Sequence, residues 1–175
     1  MNAMQTIRVE KITLNIGAGG PGDKLEKAMK LLKAITHAKP VQMVTMKRIP
    51  TWGVRPKLAI ASKVTVRGKA AEAVLKRLLQ AVDNKLPATK FDMSGNFSFG
   101  IKEYIDIPEV AYDVSIGIIG LETAVTLERP GYRVKRRLSK PAKMPKKHRI
   151  TKQEAIAFMK EHFKLNVEGE TNDNQ

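Results

Sequence analysis

Two segments of this chain alternate apolar and polar residues with the period of two that a half-buried β-strand imposes. In residues 9–16, Ile12, Leu14 and Ile16 point one way, and Lys11, Thr13 and Asn15 the other. In residues 58–67, Leu58, Ile60, Val64 and Val66 share one face, and Lys63, Thr65 and Arg67 share the opposite one. Each segment runs through glycine into a stretch of helical periodicity. After residues 17–22, a helix starts at Asp23, which with Glu26 forms a D-x-x-E variant of the capping box. Its apolar face holds Leu25, Ala28, Met29, Leu32 and Ile35, and Pro40 ends the element. After Gly68 the spacing predicts a second helix over 69–86, with Ala71, Val74, Leu75, Leu78 and Val82 turned inward.

Residues 41–46, 97–104 and 121–128 read as further strands, and residues 114–118 as a candidate for one more. Strands with one apolar and one polar face suit an antiparallel sheet backed by helices on one side. The expected fold class is α+β: an antiparallel sheet with helices packed on one face, plus a basic C-terminal extension. The open face, with Lys11, Asn15, Lys63, Thr65 and Arg67, is then free for a ligand.

The ligand's sign follows from charge. The chain of 175 residues carries a net charge of +15. Eleven Lys or Arg and no acid fall within residues 129–152, leaving 21 basic against 17 acidic residues elsewhere. The excess is gathered in one proline-bearing arm and calls for a polyanion. A membrane surface would require an apolar face that this arm lacks, so nucleic acid is preferred. A short helix follows, capped by Thr151 and Glu154, with Ile156, Met159 and Phe163 on one side. The domains expected are an α+β RNA-binding domain over 4–128, a basic arm with a short helix over 129–167, and a disordered tail over 168–175.

Other chemistry finds little support. There is no cysteine, and His37, His148 and His162 have no metal-ligand spacing. The longest apolar run, residues 116–121, is too short to span a bilayer. Residues 1–6 lack the regions of a signal peptide, which points to a cytosolic protein. Gly17, Gly19 and Gly22 match G-x-G-x-x-G between strand and helix. Yet no Asp or Glu lies between Glu26 and Glu72 to hold a ribose, and no G-K-[ST] follows. A tight turn explains these glycines better than a nucleotide site. No cofactor and no enzymatic constellation is expected. The loop over 47–57 combines Lys47, Arg48, Arg55 and Lys57 with Trp52. Either the indole is exposed and stacks on RNA, or it folds back on its own sheet.

The stretches VEKITLNIGAGG, AKPV, SKVTVRGK, FDMSGNFSFGIKEYIDIPE, ERPGYRVKRR and KHRITKQEAIAFMKEHF occur in that order over almost the whole chain. Together they resemble the large-subunit ribosomal protein L5 family, the 5S rRNA-binding proteins of the central protuberance, in its archaeal form. The resemblance implies an antiparallel sheet whose open face meets 5S rRNA. Asn15 and Thr65 match family positions that hydrogen-bond the 5S backbone. Lys11, Lys39, Lys63 and Arg67 join them as expected rRNA contacts. In the arm the expected contacts are Arg133, Lys135, Arg136, Arg137, Lys146, Lys147 and Arg149. The 47–57 loop matches the family's extended loop that reaches P-site tRNA. A family glutamine that touches RNA is replaced by Ala38, so no contact is expected there. The implied partners are 5S rRNA, large-subunit rRNA, P-site tRNA and neighbouring ribosomal proteins of both subunits, with no membrane. The implied location is cytoplasmic and ribosome-bound. Two rivals are an enzyme binding nucleotide phosphate at the glycine turn and a free-standing RNA-binding or assembly factor.

Overall fold

The structure, a computed structural model, describes residues 2–169. In chain order the elements are β1 (Arg8–Gly17), α1 (Asp23–Thr36), β2 (Val41–Val44), β3 (Ala59–Arg67), α2 (Lys69–Gln80) and β4 (Lys85–Pro87). Then come β5 (Phe97–Ile101), β6 (Leu121–Glu128), α3 (Arg133–Arg136), α4 (Lys152–Phe163) and β7 (Asn166–Glu168). Five strands form one sheet in the order β2-β3-β1-β6-β5, every neighbouring pair antiparallel. This is the α+β arrangement expected from the alternation.

Ile12, Leu14 and Ile16 of β1 and Val64 and Val66 of β3 are buried against α1 and α2. Phe97 and Phe99 of β5 extend this core, their rings stacked in series with Phe91. Burial of each such side chain contributes roughly 1.5–3 kcal/mol, so the apolar face of the sheet fixes which side the helices take. The chain after β6 joins the same core. Ile150, Ile156, Met159, Leu165 and Val167 all belong to it. β7 pairs in parallel with β4.

Several boundaries differ from those the sequence suggests. α1 begins after Gly22, whose φ of 127° makes it the N-cap. Asp23 is therefore already helical and makes no cap hydrogen bond. It acts as a first-turn acid beside the positive end of the helix. α2 stops at Gln80, because Asp83 and Asn84 both take left-handed φ of 53° and turn the chain into β4. β5 ends at Ile101, giving way to a 3-10 turn at Tyr104–Asp106. Residues 114–118 are not a strand. The Asp113 carboxylate accepts from the Ser115 N–H at 2.8 Å and the Asp113 carbonyl from the Ile116 N–H at 3.0 Å, which curls the chain. The tail expected from residue 168 overlaps β7 at Glu168, and residues 170–175 lie outside the described residues.

Candidate nucleic-acid interface

Strand register places the outward side chains in rows across the sheet. One row runs Val41, Lys63, Asn15, Glu122 and Gly100. The next runs Thr65, Thr13, Ala124 and Ser98, and a third Arg67, Lys11 and Thr126. The middle row holds no side chain longer than threonine, so a ribose-phosphate backbone can lie close to the sheet. Cations stand on both sides of that row: Lys63 in the first, Arg67 and Lys11 in the third. Lys11, Asn15, Lys63, Thr65 and Arg67 thus share one face. Thr13, which the alternation of β1 already puts beside Lys11 and Asn15, belongs with them, as do Ser98 and Thr126, which were not singled out from sequence. The signal was present, since Ser98 and Gly100 alternate with the apolar Phe97, Phe99 and Ile101.

Three acids on this side also escaped notice. Asn15 Nδ2 donates to Glu122 Oε2 at 3.5 Å. At a bulge in β1, between buried Val9 and Ile12, Glu10 and Lys11 both turn outward. Glu10 accepts from Arg67 at 3.1 Å and also from Arg136. Glu128 accepts from Arg8 and Arg136, each at 2.6 Å. The Glu10 and Glu128 side chains are only 13% and 7% exposed. Carboxylates so nearly buried persist when paired, and three guanidiniums do that here. Arg136 bridges the two acids and ties the start of the basic arm to the end of the open face. Arg67 and Arg136 are therefore partly committed within the protein.

Behind α3 the arm is held by its own contacts. Arg137 donates to the Lys140 carbonyl at 2.7 Å, and Arg149 to that of Met144 at 3.3 Å. The Tyr132 hydroxyl donates to the His148 carbonyl at 3.3 Å and accepts from the Ile150 N–H at 3.2 Å. Buried Arg129 donates to the Arg149 carbonyl and, at 2.7 Å, to Glu154, whose side chain completes the capping box with Thr151. Burial works against the charged form of Glu154. The Thr151 N–H and the Arg129 guanidinium outweigh it and hold this carboxyl below its ordinary range. Arg133, Lys135, Lys146 and Lys147 remain exposed to solvent.

The 47–57 loop is a folded finger at the sheet's β2 edge. Ile49 and Val54 exchange both backbone hydrogen bonds, and Thr45 pairs with Lys57 and Leu58 below them. A 3-10 turn at Pro50–Trp52 closes on Gly53, whose φ of 64° suits glycine. Trp52 is 76% exposed at the tip, which decides against its folding back on the sheet. Lys47, Arg48, Arg55 and Lys57 are exposed beside it, and Lys39 is exposed at the entry to β2. Neither Lys39 nor the finger reaches the cluster formed by Lys11, Lys135, Arg136 and Arg149 around the sheet end.

Two backbone donors of the glycine turn are already taken and cannot meet a phosphate. The N–H groups of Ala18 and Gly19 both donate to the Ile60 carbonyl, at 2.9 and 3.0 Å, and so are consumed within the sheet. Among the described residues, no group of three His, Cys, Asp or Glu is placed to hold a metal ion, and no helix is long and apolar enough to cross a membrane.

An open-faced α+β scaffold that gathers cations around a polar sheet face is the architecture of a polyanion-binding protein. Comparison with known proteins agrees. The family model described as Ribosomal protein L5 matches residues 2–55, and the model for the same family's C-terminus matches residues 59–158. The large ribosomal subunit protein uL5 of Nanoarchaeum equitans is 50% identical over 165 residues, covering 94% of this chain and 97% of the relative. That of Sulfurisphaera tokodaii is 46% identical, covering 95% of each chain, and that of Methanosphaera stadtmanae 44%, covering 96% of this chain and all of the relative. The chain belongs to the ribosomal protein L5 family. It is a structural component of the large ribosomal subunit and not an enzyme.

Proposed function

We propose that the open sheet face binds 5S rRNA, helping attach it to the large subunit, and that the finger touches P-site tRNA. The observation that carries this reading is the row Thr65, Thr13, Ala124 and Ser98, flanked by Lys63 and Asn15 on one side and Arg67 and Lys11 on the other. Such a surface admits a nucleic-acid backbone closely. Short hydroxyl and amide side chains reach phosphate and 2′-hydroxyl groups, and the flanking cations neutralise neighbouring phosphates. In this reading Asn15 and Thr65 are positioning contacts. The exposed arm cations Arg133, Lys135, Lys146 and Lys147 meet large-subunit rRNA, with Lys39 beside the sheet edge. Residues 4–128 serve as the RNA-binding domain, and residues 129–167 supply the basic arm while packing Ile150, Ile156 and Met159 into the same core. On the finger, the Trp52 indole offers a stacking face with Arg48 and Arg55 beside it.

The test is a binding titration of the full chain with 5S rRNA across a salt series. Tight binding should weaken steeply with salt, because counterion release dominates phosphate contacts. Equal competition by unrelated structured RNAs of the same length would overturn the 5S assignment.

A further inference from the structure

Between the β1–β6 end of the open face and the arm lies a cleft of about 670 Å³. That lies within the range of roughly 300–1,000 Å³ typical of small-ligand sites. Its lining divides chemically. Tyr132, Pro141 and Met144 supply apolar and aromatic surface, while Lys11, Lys135, Lys143 and Arg149 supply positive charge. The one acid in the wall, Glu10, is already neutralised by Arg67 and Arg136. Tyr132 is fixed rather than loose: its hydroxyl is held by Ile150 and His148, and its ring lies edge-on to His148 with centroids 5.8 Å apart. Among the described residues, the ammonium groups of Lys11, Lys135 and Lys143 have no intramolecular hydrogen bond or ion pair and are free to take an anion.

We propose that this cleft receives one unpaired nucleotide of the bound RNA. The base enters against Tyr132, Pro141 and Met144, and its flanking phosphates meet Lys135 and Lys143. The inference rests on the RNA-binding reading of the open face and extends it from backbone contact to capture of a base. An acidic peptide would satisfy the lysines but leave the aromatic and proline wall without a partner. A base with its phosphates uses both, as single-strand sites that combine stacking with a cationic track do.

The probe is a fluorescein-labelled pentauridylate with 4-thiouridine at its centre, titrated into the full-length protein. A second pentamer carries an abasic ribose at the central position. The intact pentamer should bind about tenfold tighter than the abasic one, the loss expected when a stacked base is removed. Photocrosslinks should map to Tyr132 or Met144. The K135E/K143E variant, changed at two exposed positions that leave the fold alone, should lose this discrimination. Equal binding of the two pentamers would overturn the proposal, as would displacement by oligoglutamate at matched charge or crosslinks only on the sheet face or finger. Binding of 5S rRNA is measured in parallel on the wild-type protein. Retained 5S binding with no base discrimination defeats the cleft alone, whereas lost 5S binding defeats the reading beneath it.

Discussion

A Cβ placed on Gly95 would lie 2.6 Å from Cγ2 of Ile150, so the turn before β5 and the end of the basic arm interlock without room for a methyl group. The turn is built by Asp92, whose carboxylate accepts from the N–H groups of Ser94 and Asn96, both at 2.8 Å. Gly95 itself sits at φ 75°. Gly95→Ala meets both obstacles, a backbone conformation unfavourable to alanine and overpacking against a side chain that is only 1% exposed. The expected loss is about 1–3 kcal/mol, read from urea unfolding. Proteolysis should become faster within residues 129–152 before it does elsewhere. An unchanged midpoint would mean that the arm is not locked to this turn.

Asn15→Ala and Thr65→Ala should each weaken 5S rRNA binding by about 1–3 kcal/mol while leaving thermal stability unchanged. Both residues face outward, and neither fills the core. A fall in melting temperature with unchanged affinity would show that these side chains serve the fold instead.

Glu122 should act in the opposite direction. It lies beside Asn15 in the row that also holds Lys63, and it places a negative charge where phosphate is expected. Glu122→Gln retains the hydrogen-bond acceptor and removes the repulsion. Affinity for 5S rRNA should rise by roughly threefold at low salt, with the gain shrinking as salt increases. A loss of affinity would mean that the carboxylate holds Asn15 in its binding geometry.

These acids mark where the sequence stopped being informative. β1, β3 and β6 were legible because their alternation is dictated by one buried face. The pairing of Arg8 with Glu128 and of Asn15 with Glu122 spans more than a hundred residues, and register alone brings those groups together. The bulge that turns Glu10 outward beside Lys11 leaves no trace in periodicity. Val82 and Leu86 continue the apolar spacing of α2, so its early end was hidden until Asp83 and Asn84 took left-handed backbone. β4 and β7, three residues each, are too short for any period to register. For Trp52, composition allowed two placements, and the hydrogen bonds between Ile49 and Val54 select the exposed one.

The Arg129–Glu154 pair gives α4 a dependence on pH. The folded state holds the Glu154 carboxyl below its ordinary range, so the pair's contribution is complete above about pH 4.3 and is lost as pH falls through the lower folded value. The Glu154 side chain is 42% exposed, and solvent screening limits the effect to the order of 0.5–1 kcal/mol. Glu154→Gln should therefore lower the melting midpoint modestly at pH 7, and the gap from wild type should close as pH falls below about 4. Titration of the other carboxylates is common to both proteins and cancels in the difference. A gap that persists once Glu154 is fully protonated in the folded protein would assign the effect to packing.

The finger and the sheet should separate functionally. Trp52 is exposed at a tip whose backbone is fixed by Ile49, Val54 and Gly53, so Trp52→Ala removes a stacking surface without disturbing the hairpin beneath it. Arg55→Ala, one residue beyond buried Val54, removes an exposed cation. Neither residue lies in the sheet rows or lines the cleft beside the arm. Affinity for 5S rRNA and incorporation into the large subunit should therefore stay within about twofold of wild type for both variants. P-site tRNA should dissociate faster from ribosomes carrying either one, by roughly five- to tenfold for the lost indole and less for the lost guanidinium. The two measurements are 5S affinity of the free protein and tRNA release from reconstituted ribosomes. Loss of 5S binding with normal tRNA release would assign the finger to the 5S site and end the division of labour proposed between it and the sheet.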